Sequence, residues 1–309
     1  MSRHINIFKS ASDGLNTKVD PVRLKFDYRT GVSALAACKN ISIDDTGRIS
    51  RRAGYAVTDR TEAWHSLFSA GAFALGVTGN ALAVIAADMS KTNLRNVTTG
   101  AKMSYVRNTD GAQDIIFYMN GYEKGRLINK VSYSWPVGTY VGPETRKSFY
   151  EAPIGHLLCI RNLRMFIAED KILWYSEPGN LSSYRLSANY FGFPSRLRMV
   201  QAVKTGLWIS DSESLYFLQG EIIPSRLEMP TQTLVANYPA IEGTAVKIDG
   251  SRIGEGIPGA VIVFTTSEGV CIGDGNGNLI NISERKIDLP LALSGASLYR
   301  DGHYCVTLN

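Results

Sequence analysis

Short apolar strands joined by tight polar turns predict an all-β chain, a β-propeller of five to six short blades with an extended N-terminal arm. Three observations lead there. The segments "RMFIAEDKILWYS", "GLWISDSESLYFL" and "AVIVFTTSEGVCIG" share one layout: apolar strand, polar turn, apolar strand. Units of this kind begin near residues 65, 102, 155, 195, 258 and 295, a period of roughly 40 to 60 residues, close to that of propeller blades. The 309 residues include 29 Gly and 15 Tyr, and helix-forming residues are concentrated nowhere.

Taken in order, residues 1–31 carry little periodicity. "SASDGLNTKVDPVRLKFDYRTGV" is polar, is broken by Gly14, Pro21 and Gly31, and reads as an arm. Pro21 biases Asp20 away from helix. Val19, Val22, Leu24 and Phe26 supply intermittent apolar anchors. The arm folds back over its own domain or lies on a neighbour. From residue 32 to 309 the chain reads as the propeller. "VSALAACKN" fits a turn of helix or a strand equally well. "NISIDDTGRISRRAGYAV" predicts a hairpin: Ile41 and Ile43 alternate with polar residues, Asp44 to Gly47 turn, and Ile49 and then Gly54 to Val57 return. Asn120-Gly121 and Asp301-Gly302 are further hairpin signals. The last unit is short of strands, and the Ile41–Val57 hairpin is the natural donor that closes the ring, six blades being favoured. The alternative is two tandem β-sandwiches with Val141–Gly155 as the linker.

Composition bounds the function. Hydrophobic residues make up 44% and charged residues 20%, enough for a sizeable core. The net charge of +5 is too small for nucleic acid alone. Arg48, Arg51 and Arg52, and Arg161, Arg164 and Lys171, form basic clusters that read as solvated sheet faces. Of the four cysteines, Cys159, Cys271 and Cys305 sit in apolar runs and read as small buried hydrophobes; no disulfide framework is expected with Cys38. "MSRHINIFKSASDG" has no apolar signal region, and no run is long enough to span a bilayer, so a soluble protein made in the cytoplasm is expected.

Motifs with chemistry are weak. "GEGIPG" matches a dinucleotide fingerprint in letters only, since Pro258 lies inside it and a strand follows. "DGNGN" reads as a glycine-rich turn, because position twelve of a calcium loop would fall on Arg285. His4, His65, His156 and His303 show no ligand spacing, although His65 and His156 precede comparable strands. No nucleophile elbow is present. Trp135, Trp174, Tyr175, Tyr190, Phe191, Phe193 and Trp208 pack between blades or stack on a sugar or partner. No catalytic, cofactor-binding or metal-binding residue is assigned, no cofactor is expected, and the chain is read as not an enzyme.

"GLNTKVDPVRL", "NISIDDTGRISRRAGY" and "ILWYSEPGNLSSYRL" with the following "YFGFPSRLRMVQAVKTGLWISDSESLYFLQG" resemble tailed-bacteriophage virion proteins, the β-propeller proteins of the tail tip, baseplate or nozzle. The resemblance covers residues 14–58 and 155–230. It implies a structural tail component, at the tip or at the head–tail joint, assembling with other tail or connector proteins as a symmetric homo-oligomeric ring. It implies a virion location; the modest charge, the lack of a long apolar run and the lack of a signal region give the further expectation of synthesis in the host cytoplasm, no specific nucleic-acid site and no membrane insertion. It further implies that Val19, Asp20, Pro21, Val22, Arg23 and Leu24 are a docking arm ordered only on its neighbour. In that arm Asp20 and Pro21 fix an extended path, Val19, Val22 and Leu24 bury against the partner, and Arg23 pairs with a carboxylate there. The alternative function is a propeller that binds or cleaves host-surface glycans.

Overall fold

The structure is a computed structural model that describes residues 13–24, 26–27, 32–44, 46–52, 61–109, 113–138, 148–223, 228–253 and 259–309. Among these, the strands form five four-stranded antiparallel sheets and three two-stranded ones. The first blade runs Trp64–Ser69, Ala74–Thr78, Ala81–Ile85 and Lys91–Asn96. The second comprises Ser104–Asn108, Ile115–Met119, Lys124–Ile128 and Val131–Tyr133. The third comprises Leu157–Arg161, Arg164–Glu169, Ile172–Tyr175 and Tyr190–Gly192. The fourth comprises Met199–Ala202, Gly206–Ser210, Leu215–Gln219 and Thr231–Ala236. The fifth comprises Val246–Asp249, Ala260–Thr266, Gly269–Gly273 and Leu279–Asn281. Each is a meander in which every strand pairs with the next. The hairpin Gly295–Arg300 and His303–Leu308 begins a sixth unit.

The core explains why the second strand of each later blade reads as an unbroken apolar run. A strand sends alternate side chains to opposite faces, and here both faces are covered by neighbouring blades. In the fourth blade Leu207 and Ile209 face the third through Phe166, Ala168 and Tyr175. Trp208, between them in sequence, faces the fifth through Phe264 and Ile262. In the fifth blade Ile262 and Phe264 face back, while Val261 and Val263 face forward to Tyr299 and Tyr304 of the terminal hairpin. Comparable clusters join the first blade to the second and the second to the third. The first strand of the third blade lies against the first strands of the second and fourth. This serial, radial packing is a β-propeller of about six blades and excludes tandem sandwiches, in which sheets pack in pairs.

The proposed linker shows the same outcome locally. Residues 141–147 lie outside the described residues, but Tyr150 bridges to Tyr184 and Ala152 is buried between the second and third blades. Residues 148–155 therefore pack as part of an inter-blade connection.

Turns follow the side chains that cap them. Asp301 (φ 50°) and Gly302 (φ 80°) form a two-residue left-handed turn, as Asp-Gly predicts. Asn120-Gly121 behaves differently. The loop runs from Asn120 to Glu123, because Asn120 Oδ1 accepts from the amides of Tyr122 (3.0 Å) and Glu123 (2.7 Å). Asp211 repeats this in the fourth blade, its Oδ1 accepting from Glu213 (2.9 Å) and Ser214 (2.7 Å). Asp274 does so in "DGNGN", accepting from Asn276 and Asn278, so that segment is a capped turn between two strands. The fifth unit starts at Val246, earlier than residue 258, since its first strand "VKID" is short and partly polar. "VSALAACKN" opens with the two-residue strand Val32–Ser33, paired to Phe26–Asp27.

The hairpin Ile41–Ile43 and Ile49–Arg51 forms as expected, with Gly47 at φ 79°. Gly54 to Val57 lie outside the described residues, as does most of "GEGIPG". The N-terminal hairpin approaches the C-terminal one where Arg52 Nη2 lies 3.7 Å from Cys305 Sγ. Among the described residues no helix is long and apolar enough to cross a membrane.

Candidate docking surface

Of the arm, residues 1–12 lie outside the described residues, and residues 13–24 are tied to their own chain. The Asn16 amide donates to the Leu35 carbonyl and the Leu35 amide to the Gly14 carbonyl. The Thr17 amide donates to the Lys286 carbonyl at 2.8 Å, and the Asp288 amide donates to Thr17 Oγ1 at 3.0 Å. Lys286 Nζ reaches the Asp13 carbonyl, and Lys18 lies 3.9 Å from Asp288. The expectation of an arm ordered only on a neighbour is therefore corrected. Its anchor is the segment after the fifth blade.

The six expected docking residues divide. Asp20 is extended at ψ 130°, as the following proline requires, but Pro21–Arg23 then form one 3₁₀ turn in place of a continuous extended path. Asp20 caps that turn, its Oδ1 accepting from the Val22 amide at 2.9 Å. Proline at the first position removes a donor that the turn would leave unpaired. Val19 and Leu24 are half-buried on the protein itself, while Pro21 and Arg23 are exposed. Val22 is 92% exposed at the apex. Close by in sequence to the 286–288 anchor, Leu291 is 95% and Leu293 75% exposed. These two leucines carried no periodic signal, so sequence reasoning passed over them.

The basic clusters also divide. Arg48, Arg51 and Arg52 are exposed, as expected for a solvated face. Arg164 is only 5% exposed, which corrects the reading for its cluster. Its guanidinium donates to the Ser176 carbonyl at 2.6 Å and the Ile222 carbonyl at 3.3 Å, and lies 5.6 Å from the centre of the Tyr175 ring. Burial depresses its pKa, opposed by the Glu177 charge. Arg161 donates to the carbonyls of Val203, Gly220 and Lys204. The two arginines bolt the third blade to the fourth beside a cleft of about 310 Å³.

His65 and His156 are not equivalent. His65 lies inside a first strand and meets Ser66 Oγ. His156 precedes its strand and bonds the Leu197 carbonyl at 2.7 Å. Desolvation lowers both pKa values, with Lys102 adding to the effect at His65. Among the described residues no group of His, Cys, Asp or Glu is placed to hold a metal ion. Cys159 and Cys271 are buried and free, and burial pushes their thiols up to about 12 and about 11. Cys305 is half-buried, contrary to its apolar context, and Cys38 is exposed.

Most aromatic residues do pack between blades: Trp135, Tyr175, Phe193 and Trp208 are buried there. Tyr190 differs, and Trp174 is only partly buried against the cluster between the second and third blades. Their rings lie 5.5 Å apart, Tyr190 is 47% exposed, and Trp174 Nε1 donates to Glu169 at 2.7 Å.

The described strands thus define a β-propeller. Its likeness to solved structures is distant. The chain is similar to a streptogramin B lyase at 12% identity over 87% of this chain and 83% of the other, TM-score 0.47. It is similar to virginiamycin B lyase from Staphylococcus aureus at 11% identity over 78% and 75%, TM-score 0.43. It is also similar to the N-terminal domain of Nup159 at 12% identity over 78% and 71%, TM-score 0.42. Comparison with protein families finds no match. Comparison with curated proteins finds none either.

Proposed function

We propose that the chain is a structural, non-enzymatic subunit of a bacteriophage tail, working by protein–protein assembly in a symmetric ring. The observation that carries this reading is Val22: an apolar side chain 92% exposed on a capped turn that is itself fastened to residues 286–288. A surface valine on a loose loop is unremarkable. Asp20 and Pro21 limit the conformations of this one, so docking forfeits less entropy. Leu291 and Leu293, a few residues after the 286–288 anchor, are further exposed apolar side chains, and exposed Arg23 supplies a charge next to Val22 in sequence. The partner is a neighbouring tail or connector subunit, and the site of action is the virion. The sequence resemblance over residues 14–58 and 155–230 supports this assignment.

The test is quantitative mass spectrometry of density-purified particles carrying the wild-type chain or Val22→Asp. The reading predicts a fixed few copies per particle for wild type and at least a tenfold loss for the variant, with unchanged melting of the isolated protein. Wild-type chain left wholly in the lysate overturns it. One observation favours a second reading: the Trp174–Tyr190 pair offers aromatic faces for a sugar ring. Binding on a glycan panel that Trp174→Ala abolishes would establish that alternative.

A further inference from the structure

A second cavity, of about 250 Å³, lies among the first strands of the second, third, fourth and fifth blades. Two cations line it, Arg198 at the start of the fourth blade and Lys247 in the first strand of the fifth. No carboxylate lines it. Among the described residues neither side chain has a hydrogen-bond or ion-pair partner. That contrasts with Arg107, Arg161, Arg164 and Arg185, whose guanidinium groups are engaged by carboxylates or carbonyls. Arg198 is half-buried, its backbone held by the Ser210 carbonyl at 2.7 Å and flanked by buried Leu197 and Met199. Lys247 is exposed on the first strand of the fifth blade and shares the cavity wall with Cys159 of the third. Gln201 and Ser104 add polar groups to the same lining.

We propose that this central cavity binds a small oxyanion, a phosphate or a carboxylate, held by Arg198 and Lys247 with Gln201 beside them. Two like charges set around one concavity with no counter-charge repel each other, and an anion between them reverses the sign of both interactions. A guanidinium presents a planar fork that matches two oxygens of carboxylate or phosphate, and an ammonium completes the set as a point charge. The volume, about 250 Å³, lies just below the usual range for ligand sites and suits a small anion. This site is separate from the arm and does not depend on the assembly role.

The experiment is isothermal titration calorimetry of the full chain with inorganic phosphate and, separately, succinate, at low and high sodium chloride. The expected result is one site per chain for at least one probe, weakened by salt. Arg198→Gln and Lys247→Gln should each weaken binding about tenfold or more, as loss of a charge-assisted contact does. Arg196→Gln, an exposed neighbour outside the lining, should leave binding unchanged. Phosphate binding alone identifies a phosphoryl ligand, and binding of both identifies oxyanions in general. No heat with either probe at millimolar concentration overturns the proposal, as does equal loss in Arg196→Gln. If Arg198→Gln fails to fold, Arg198→Lys with Lys247→Gln carries the same comparison.

Discussion

Arg164 donates to the Ser176 carbonyl at 2.6 Å, and the Ser176 hydroxyl in turn accepts from the Met165 amide at 2.9 Å. One buried cation and one buried hydroxyl thereby satisfy both polar groups where the third strand of that blade leaves the sheet. The guanidinium then reaches Ile222 of the next blade.

Removing this cation leaves the carbonyl of fully buried Ser176 without its donor. Arg164→Ala is expected to destabilise the protein by about 3 kcal/mol, from charged-donor bonds of roughly 1.5–3 kcal/mol each. Arg161→Ala, more exposed, should cost less. Urea midpoints compared at constant slope check the order of the two variants.

Ser210 performs a similar task between the fourth and fifth blades. Its Oγ accepts from the Ala240 amide at 2.9 Å, and the residue is fully buried. Ser210→Ala strands that amide, so a loss of about 1–3 kcal/mol is expected. Thermal melting with hydrogen exchange at the Ala240 amide tests it: the amide should exchange far faster in the variant than in wild type.

Leu163 pays a backbone penalty with little packing in return. It sits at φ 58° in a two-residue turn with Asn162 at φ 48°, and its side chain is 56% exposed. A left-handed conformation costs a branched residue roughly 1–2 kcal/mol, whereas Asn-Gly is the favoured pair for such a turn. Leu163→Gly should therefore stabilise by about 0.5–1 kcal/mol after the added freedom of the unfolded chain is subtracted. A lower melting temperature would contradict the argument.

Stability should fall at alkaline pH. Cys159 and Cys271 have folded values raised to about 12 and about 11 from an ordinary 9.0. Above pH 9 the unfolded chain releases these protons and the folded chain keeps them, so the unfolded state binds fewer protons and stability decreases with pH. The thiols have no effect near neutrality, and the decline runs from about pH 9 to the folded values. Buried Tyr184 adds to it above pH 10. Cys159→Val should flatten the slope between urea midpoints measured at pH 8 and pH 10.5. An unchanged slope would assign the alkaline loss to other groups.

The all-β class and the blade repeat were legible because alternation and turn chemistry are local. "GLWISDSESLYFL" contains both strands of a hairpin, the Asp that caps its turn, and side chains for two opposite faces. Pro21 likewise announced the extended backbone of Asp20. Other features depended on partners distant in the chain. Arg164 looked like a surface arginine until the 222 carbonyl closed over it, and Asn120 chose a four-residue loop because its own amide and Glu123 made a better cap than a tight turn. The cavity between Arg198 and Lys247 exists only because the first strands of separate blades converge on one axis. The fastening of Thr17 to Lys286 joins residues 269 positions apart (286 − 17). Local periodicity thus determined what the strands are. Only tertiary packing decided which charges are buried, which are left facing a cavity, and where the arm lies, because burial and unpaired charge belong to neighbours that sequence spacing does not name.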